Sequence, residues 1–143
     1  MSFLIDTCCV SELIKKEPNT SVLKWFADHD ERSMYLSVIT FGELRKGIEK
    51  LQDSKKKKEL NSWVNEDLSN RFNNRILDIS IEVANKWGEV LAHAEQKGLP
   101  LPAIDSLIAA TAIAHGQIVV TRNTKDMENS GVQLINPWMY EKT

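Results

Sequence analysis

The chain has 143 residues, of which 42% are hydrophobic and 27% charged, as is typical of one globular domain spanning residues 1–143 and not of a disordered chain. Its 18 basic and 20 acidic residues give a formal net charge of -2, which argues against a simple basic nucleic-acid coat protein. The total hides a basic stretch, because residues 45–60 carry seven basic and three acidic side chains.

Cysteine usage and apolar runs favour a cytoplasmic protein without a membrane partner. Cys8 and Cys9 are adjacent, and disulfide geometry is hard to meet across one peptide bond, so a reducing compartment is predicted. The N-terminal apolar run ends at Asp6, which is too early for a signal peptide. No apolar run reaches the roughly 18 residues that a membrane span needs.

Strand and helix patterns alternate along the chain. In chain order, we predict a strand at 3–5, a helix that stops at 17–18, a helix capped by Asn19 or Thr20, a strand at 34–38, a helix from Thr40 through Leu51, a polar helix at 54–72, a strand at 75–79, a helix between Ser80 and Gly98, a buried helix at 103–115, and strands at 117–120 and 131–135. This alternation predicts an α/β fold with a mostly parallel sheet and helices on both faces.

Four acidic residues are expected at the edge of the sheet where such folds bind ligands, outside the carboxyl ends of the strands. Asp6 and Asp126 follow predicted strands, Glu43 lies on the first turn of the helix after the second strand, and Asp105 lies near the start of the buried helix. Two carboxylates about 4 Å apart repel by roughly 4 kcal/mol at an effective dielectric near 20, so the group needs a cation or raised pKa values. Oxygen ligands alone suit Mg²⁺ or Mn²⁺.

Each of these acids also has an ordinary structural interpretation. Asp6 can cap the first helix, and Glu43 can form a capping box with Thr40. Asp105 can complement the dipole of its helix, and Asp126 can be a turn residue. The combination is more informative than any member of it.

Four segments resemble the motifs of PIN-domain proteins, in family order. They are DTCCVSEL at 6–13, SVITFGELRKG at 37–47, AIDSLIAATA at 103–112 and TRNTKD at 121–126. The similarity is strongest to the VapC toxins of type II toxin–antitoxin pairs, including the FitB-like branch. Cys8 stands where the family usually has Asn, and Met127 where Phe is more usual.

The resemblance implies a three-layer α/β/α PIN-like fold with a five-stranded sheet, and a Mg²⁺- or Mn²⁺-dependent endoribonuclease that cleaves RNA by a metal-activated water. By this resemblance Asp6, Glu43, Asp105 and Asp126 form the catalytic and metal-binding site, and Thr121 and Asn123 support it by hydrogen bonding. The implied partners are a second copy of the chain, an inhibitory antitoxin and, through the antitoxin, operator DNA. Because a thiol is a poor hydrogen-bond partner, Cys8 predicts a looser geometry around Asp6.

The basic residues give weaker indications. Arg45 and Lys46 lie close to the acidic edge and could contact RNA phosphates, whereas the Lys55–Lys58 run is more typical of a solvated helix face.

Two other functions stay open at this point. The chain could be a PIN-fold interaction module with weak or no catalysis, or, less in keeping with its motifs, a receiver-type phosphoacceptor domain. A receiver domain needs a lysine after a late strand, and here Arg122 follows Thr121.

Overall fold

The computed structural model describes residues 1–141 and contains a five-stranded sheet in the order β3-β2-β1-β4-β5, with every neighbouring pair parallel. The strands are β1 (Phe3–Ile5), β2 (Met34–Ser37), β3 (Ile76–Leu77), β4 (Ile118–Val120) and β5 (Leu134–Ile135). The predicted α/β class with a parallel sheet is confirmed.

Helices occupy most of the chain between the strands. They are α1 (Thr7–Glu12), α2 (Thr20–Asp28), α3 (Val38–Glu49), α4 (Lys55–Ser62), a π-helical segment (Trp63–Leu68), α5 (Ser69–Arg71), α6 (Ile81–Gln96), α7 (Ala103–Ala114) and α8 (Thr124–Met127). Short 3-10 helices lie at Glu31–Ser33, Glu128–Ser130 and Pro137–Met139. No helix within residues 1–141 is long and apolar enough to cross a membrane.

Three predicted boundaries are wrong. The second strand ends at Ser37, whose hydroxyl accepts a hydrogen bond from the Ile39 backbone N–H (3.0 Å) and so caps α3 three residues before Thr40. The first helix ends at Glu12, well before 17–18. The polar helix at 54–72 changes to π geometry over Trp63–Leu68, which a period-3.6 pattern cannot reveal.

The two faces of the sheet bury separate halves of the core. On β1, Phe3 and Ile5 pack into one cluster with Trp25, while Leu4 points to the opposite face and packs with Ile108. Alternate strand residues point to opposite faces, so a strand with no exposed position requires a helical layer on each side. This is the predicted three-layer arrangement.

The register of the sheet decides which residues meet at its carboxyl edge. Ile5 pairs with Val120 across the two central strands, and the Asp6 backbone N–H donates to the Val120 carbonyl (2.9 Å). The next residues of the two strands, Asp6 and Thr121, therefore leave the sheet side by side.

A candidate acidic active site

Asp6 is the most tightly held of the predicted site residues. It is 5% exposed and caps α1, with its Oδ1 accepting a hydrogen bond from the Thr7 backbone N–H (2.9 Å). Its Oδ2 accepts a hydrogen bond from the buried Thr121 hydroxyl (2.7 Å). Asp6 therefore caps its helix and also presents a fixed carboxylate at the sheet edge.

Thr121 and Asn123 both take part in the support of this carboxylate. While the Thr121 hydroxyl donates to Asp6, its oxygen accepts a hydrogen bond from the Asn123 backbone N–H (3.0 Å). Asn123 thus acts through its main chain, and its own side chain is exposed.

Glu43 lies on the second turn of α3, not on the first as the sequence predicted, because that helix begins at Val38. Glu43 Oε1 accepts a hydrogen bond from the Thr7 hydroxyl (2.7 Å). The same Thr7 hydroxyl lies 3.0 Å from the Thr40 hydroxyl. The capping-box interpretation of Thr40 and Glu43 is wrong, since Ser37 caps the helix. The sequence-based prediction gave no role to Thr7, although Thr7 follows Asp6 directly and belongs to the motif at 6–13.

Asp105 is the carboxyl group whose pKa the other three acids raise. It lies in the first turn of α7, in a half-buried position. Burial is the largest factor that raises the pKa of Asp105, to about 6, followed by the negative charges of Asp6, Asp126 and Glu43. Four acids that are far apart in the sequence thus share one electrostatic environment.

Asp126 is exposed on the short helix α8. Its backbone N–H donates a hydrogen bond to the carbonyl of Asn123, the residue just before this helix (3.1 Å). It is therefore helical, whereas the alternative interpretation placed it in a turn. Its charge contributes to the raised pKa of Asp105 more than that of Glu43 does.

The four carboxylates are neighbours without being a closed ligand set. Among residues 1–141, no three His, Cys, Asp or Glu side chains already stand close enough together to hold a metal ion.

Cys8 lies beside the site as a free thiol. Its Sγ is 3.8 Å from Asp6 Oδ2 and 4.0 Å from the Sγ of Cys9, which is buried and is also a free thiol. The hydrogen bond with Cys9 lowers the pKa of the Cys8 thiol. Asp6 is held by Thr7 and Thr121, so it does not rely on this weak sulfur contact.

The basic residues predicted to contact RNA differ in whether their side chains already bond to other parts of the protein. The Arg45 guanidinium donates hydrogen bonds to the side-chain oxygens of Asn61 and Asn65, the second at 2.8 Å, and so joins α3 to the following helical segment. Lys46 is exposed. In the lysine run, Lys57 donates to the Leu51 carbonyl (3.2 Å), and its three neighbours are exposed.

A groove of about 310 Å³ opens beside the acids. Thr7 and Glu43 line one part of it, and apolar side chains that include Ile48, Leu60 and Trp63 line the rest. The acidic edge is therefore continuous with an apolar surface between α1, α3 and the π-helical segment.

The sequence matches the PIN-domain family over residues 3–129. This range includes all four acids and the first four strands, β1 to β4. The chain belongs to the PIN-domain family. Its sheet order differs from the 2-1-3-4-5 order of receiver-type domains, so the phosphoacceptor alternative is wrong.

This PIN domain has curated relatives that match it over nearly their whole length. The plasmid stability protein StbB of Pseudomonas syringae is 37% identical over 94% of this chain and 97% of its own length. The VapC ribonuclease Y4jK of Sinorhizobium fredii is 33% identical (94% and 96%), and the toxin FitB of Neisseria gonorrhoeae is 35% identical (94% and 97%).

Among solved structures, FitAB bound to a DNA fragment contains a chain that matches this PIN domain with a TM-score of 0.92. The two chains are 34% identical, and the match covers 98% of each. The fold and strand order described above are thus those of a PIN domain throughout the matched length.

Proposed function

We propose that this PIN domain is a Mg²⁺- or Mn²⁺-dependent endoribonuclease that acts as the toxin of a type II toxin–antitoxin pair. The observation that supports the proposal is the edge of the sheet itself: the register of β1 and β4 brings Asp6 to its carboxyl end, and the charges of Asp6, Asp126 and Glu43 all act on Asp105. PIN-domain nucleases generally use divalent metal ions.

The donor set suits such an ion. Asp6, Glu43, Asp105 and Asp126 offer hard carboxylate oxygens, the ligands that Mg²⁺ and Mn²⁺ prefer. Burial raises the pKa of Asp105 most, and the charges of Asp6, Asp126 and Glu43 raise it further; a divalent cation would neutralise these charges. When bound, the ion would supply charge for the phosphate and activation of a water molecule for attack.

The residues of the chain itself position the acids. The Thr7 main chain and the Thr121 hydroxyl orient the two oxygens of Asp6, and the Thr7 hydroxyl orients Glu43. Since a single threonine contacts both acids, it fixes α1 relative to α3 at the site. Preorganised carboxylates of this kind need little rearrangement when substrate binds.

The proposed partners follow from the relatives. Y4jK is named a VapC ribonuclease, FitB a toxin, and FitAB has been solved on a DNA fragment. We extend these properties to this chain as an RNA substrate, a cognate antitoxin, and operator DNA bound through that antitoxin. The proposal also takes residues 1–143 as one domain that forms a homodimer in the cytoplasm, where its RNA substrates are.

Cleavage of RNA by the purified protein tests the proposal. We expect cleavage with Mg²⁺ or Mn²⁺ that stops on addition of a chelator, and that either Asp6→Asn or Asp105→Asn lowers by at least about 100-fold, the order of effect of losing a principal charge-stabilising group. Glu95→Gln on α6 is the matched control, since it removes an exposed carboxylate that does not act on Asp105.

Full activity in both aspartate variants would contradict the assigned site. A wild-type protein that neither cleaves RNA nor binds Mn²⁺ would contradict the nuclease and favour the interaction module.

A further inference from the structure

Arg122, between the two residues that support Asp6, carries its side chain across an aromatic ring. Its Cζ lies 5.0 Å from the centroid of the Trp138 ring. Its backbone N–H donates to the Cys8 sulfur (3.5 Å), which ties this position to the start of α1. Arg122 therefore leaves the sheet next to the acidic site, with its guanidinium resting on Trp138.

The Trp138 ring is itself well anchored. The Trp138 backbone N–H donates to the Asn136 side-chain oxygen (3.0 Å), and the ring packs against the core cluster that contains Trp25. Two residues further on, the Tyr140 hydroxyl donates to Asp28 Oδ2 (2.7 Å) on α2. A guanidinium stacked on a fixed ring loses less conformational freedom when it binds a ligand than one on a free side chain.

Arg122 also differs from the other four arginines, whose guanidinium groups all form hydrogen bonds or ion pairs within the protein. Arg32 and Arg71 form ion pairs with acids, while Arg45 donates to two asparagines and Arg75 to backbone carbonyls. Within residues 1–141, the Arg122 guanidinium forms no hydrogen bond or ion pair, and its side chain is exposed. Its charge acts on Glu12, but the two oxygens of that carboxylate are bonded to Lys15 and to the Asn19 backbone N–H. The N–H donors of the Arg122 guanidinium are available to an external anion.

We infer that Arg122, held by Trp138, binds a phosphate of the RNA backbone beside the acidic site; this inference rests on the proposed function. Four carboxylates repel a polyanion, so the edge needs a cation next to them to receive it. A planar guanidinium can donate two parallel hydrogen bonds to one phosphate, and stacking on a ring leaves its edge free for this. Arg122 is then a phosphate-binding residue, and Trp138 is the positioning residue that orients it.

RNA binding by the non-cleaving Asp105→Asn protein tests the inference, with a fluorescently labelled single-stranded RNA of mixed sequence as the probe. Adding Arg122→Gln is expected to weaken binding by about ten-fold or more, as for loss of a charge-assisted hydrogen bond. The slope of log affinity against log salt should also fall by about 0.7, which corresponds to one phosphate contact on single-stranded RNA.

Two further variants separate phosphate binding from structural support. Trp138→Leu keeps the charge of Arg122 and removes the ring, and it should weaken binding while leaving most of the salt slope. Arg32→Gln is the matched control, because Arg32 is an exposed arginine before β2, at the amino end of the sheet. It should change neither the affinity nor the slope.

In the cleaving protein, Arg122→Gln should raise KM by about the same factor and change kcat little, since it removes a binding contact. If Arg122→Gln lowers the melting temperature but binds RNA like Arg32→Gln, the pair is only a structural clamp and the inference is overturned. If the unsubstituted protein cleaves RNA, the proposed function survives that result. If it neither cleaves nor binds RNA, both fail.

Discussion

Asp6 shows how one short side chain serves structure and chemistry at the same residue. One carboxylate oxygen caps α1 and the other accepts the Thr121 hydroxyl, so both oxygens have fixed directions. The sequence predicts a looser geometry here because Cys8 replaces the usual Asn. In the structure, the Thr121 hydroxyl, directly after the neighbouring strand, donates the hydrogen bond that the resemblance implies, and the Cys8 sulfur is 3.8 Å away.

Replacement of the Thr121 hydroxyl is predicted to loosen this carboxylate. Thr121→Val has nearly the same shape but leaves Asp6 Oδ2 and the Asn123 backbone N–H without their shared partner. We expect the free energy of unfolding to fall by about 1–3 kcal/mol, as for a buried polar group that loses its partner, and RNA cleavage to fall with it. Urea denaturation and cleavage rates measure the two effects.

Thr121→Ser is the control for that substitution, because it keeps the hydroxyl and removes one methyl group. It should retain most of the activity. Equal activity of the valine and serine variants would contradict the role given to the hydroxyl.

At the scale of elements, the start of α3 decides where Glu43 lies. The hydroxyl of Ser37 caps this helix at the end of β2, and Glu43 then falls on the second turn, within reach of Thr7. A helix that began at Thr40, as the sequence predicted, would place Glu43 at its N-terminus as a capping glutamate. The position of the cap thus separates a structural glutamate from a site residue.

Removal of this cap is predicted to affect both stability and activity. Ser37→Ala should lower the free energy of unfolding by about 1 kcal/mol, the usual effect of losing a serine cap, and should lower RNA cleavage because the helix that carries Glu43 is less well fixed. Ser80→Ala removes the equivalent cap of α6, where the Ser80 hydroxyl accepts the Val83 backbone N–H (3.2 Å).

The Ser80 variant should lose similar stability and keep full activity at a temperature where both proteins are folded. If both variants lose activity to the same degree, the effect is one of general stability and the role given to the α3 cap is wrong.

For the whole molecule, the small net charge conceals a separation of charges. At the carboxyl edge of the sheet, burial and the negative charges of Asp6, Asp126 and Glu43 raise the pKa of Asp105 to about 6. A charged Asp105 therefore destabilises the metal-free protein near neutral pH. A bound divalent cation would remove this repulsion.

The melting temperature of the protein should show both the repulsion between the acids and its removal by a divalent cation. Without metal at neutral pH, Asp105→Asn is expected to melt a few degrees above the wild type, because it removes one of the repelling charges. Mn²⁺ at about 100 times its dissociation constant should stabilise the wild type by about 2.7 kcal/mol and the variant far less. A variant that gained the full stabilisation from Mn²⁺ would show that Asp105 is not a ligand.

The sequence predicts best those strands and helices whose own residue pattern shows how they are buried. The continuous apolar run at Ile118–Val120 predicts a strand buried on both faces, and the apolar residues of 103–115 predict a buried helix; both are present. Such patterns reflect burial of the element itself and need no knowledge of its neighbours. The order of four motifs along the chain likewise indicates the PIN family without reference to any contact between distant residues.

What only the tertiary structure decided were the pairings between distant residues. The parallel register of β1 and β4 sets Asp6 beside Thr121, the cap at Ser37 brings Glu43 to Thr7, and the return of residues 137–139 to the sheet edge puts Trp138 under Arg122. A hydroxyl or a guanidinium has no periodicity that reveals its partner, because hydrogen bonds and stacking depend on positions that only the folded chain defines. The sequence by itself determined the layers and the acids, and the fold determined which groups hold and surround them.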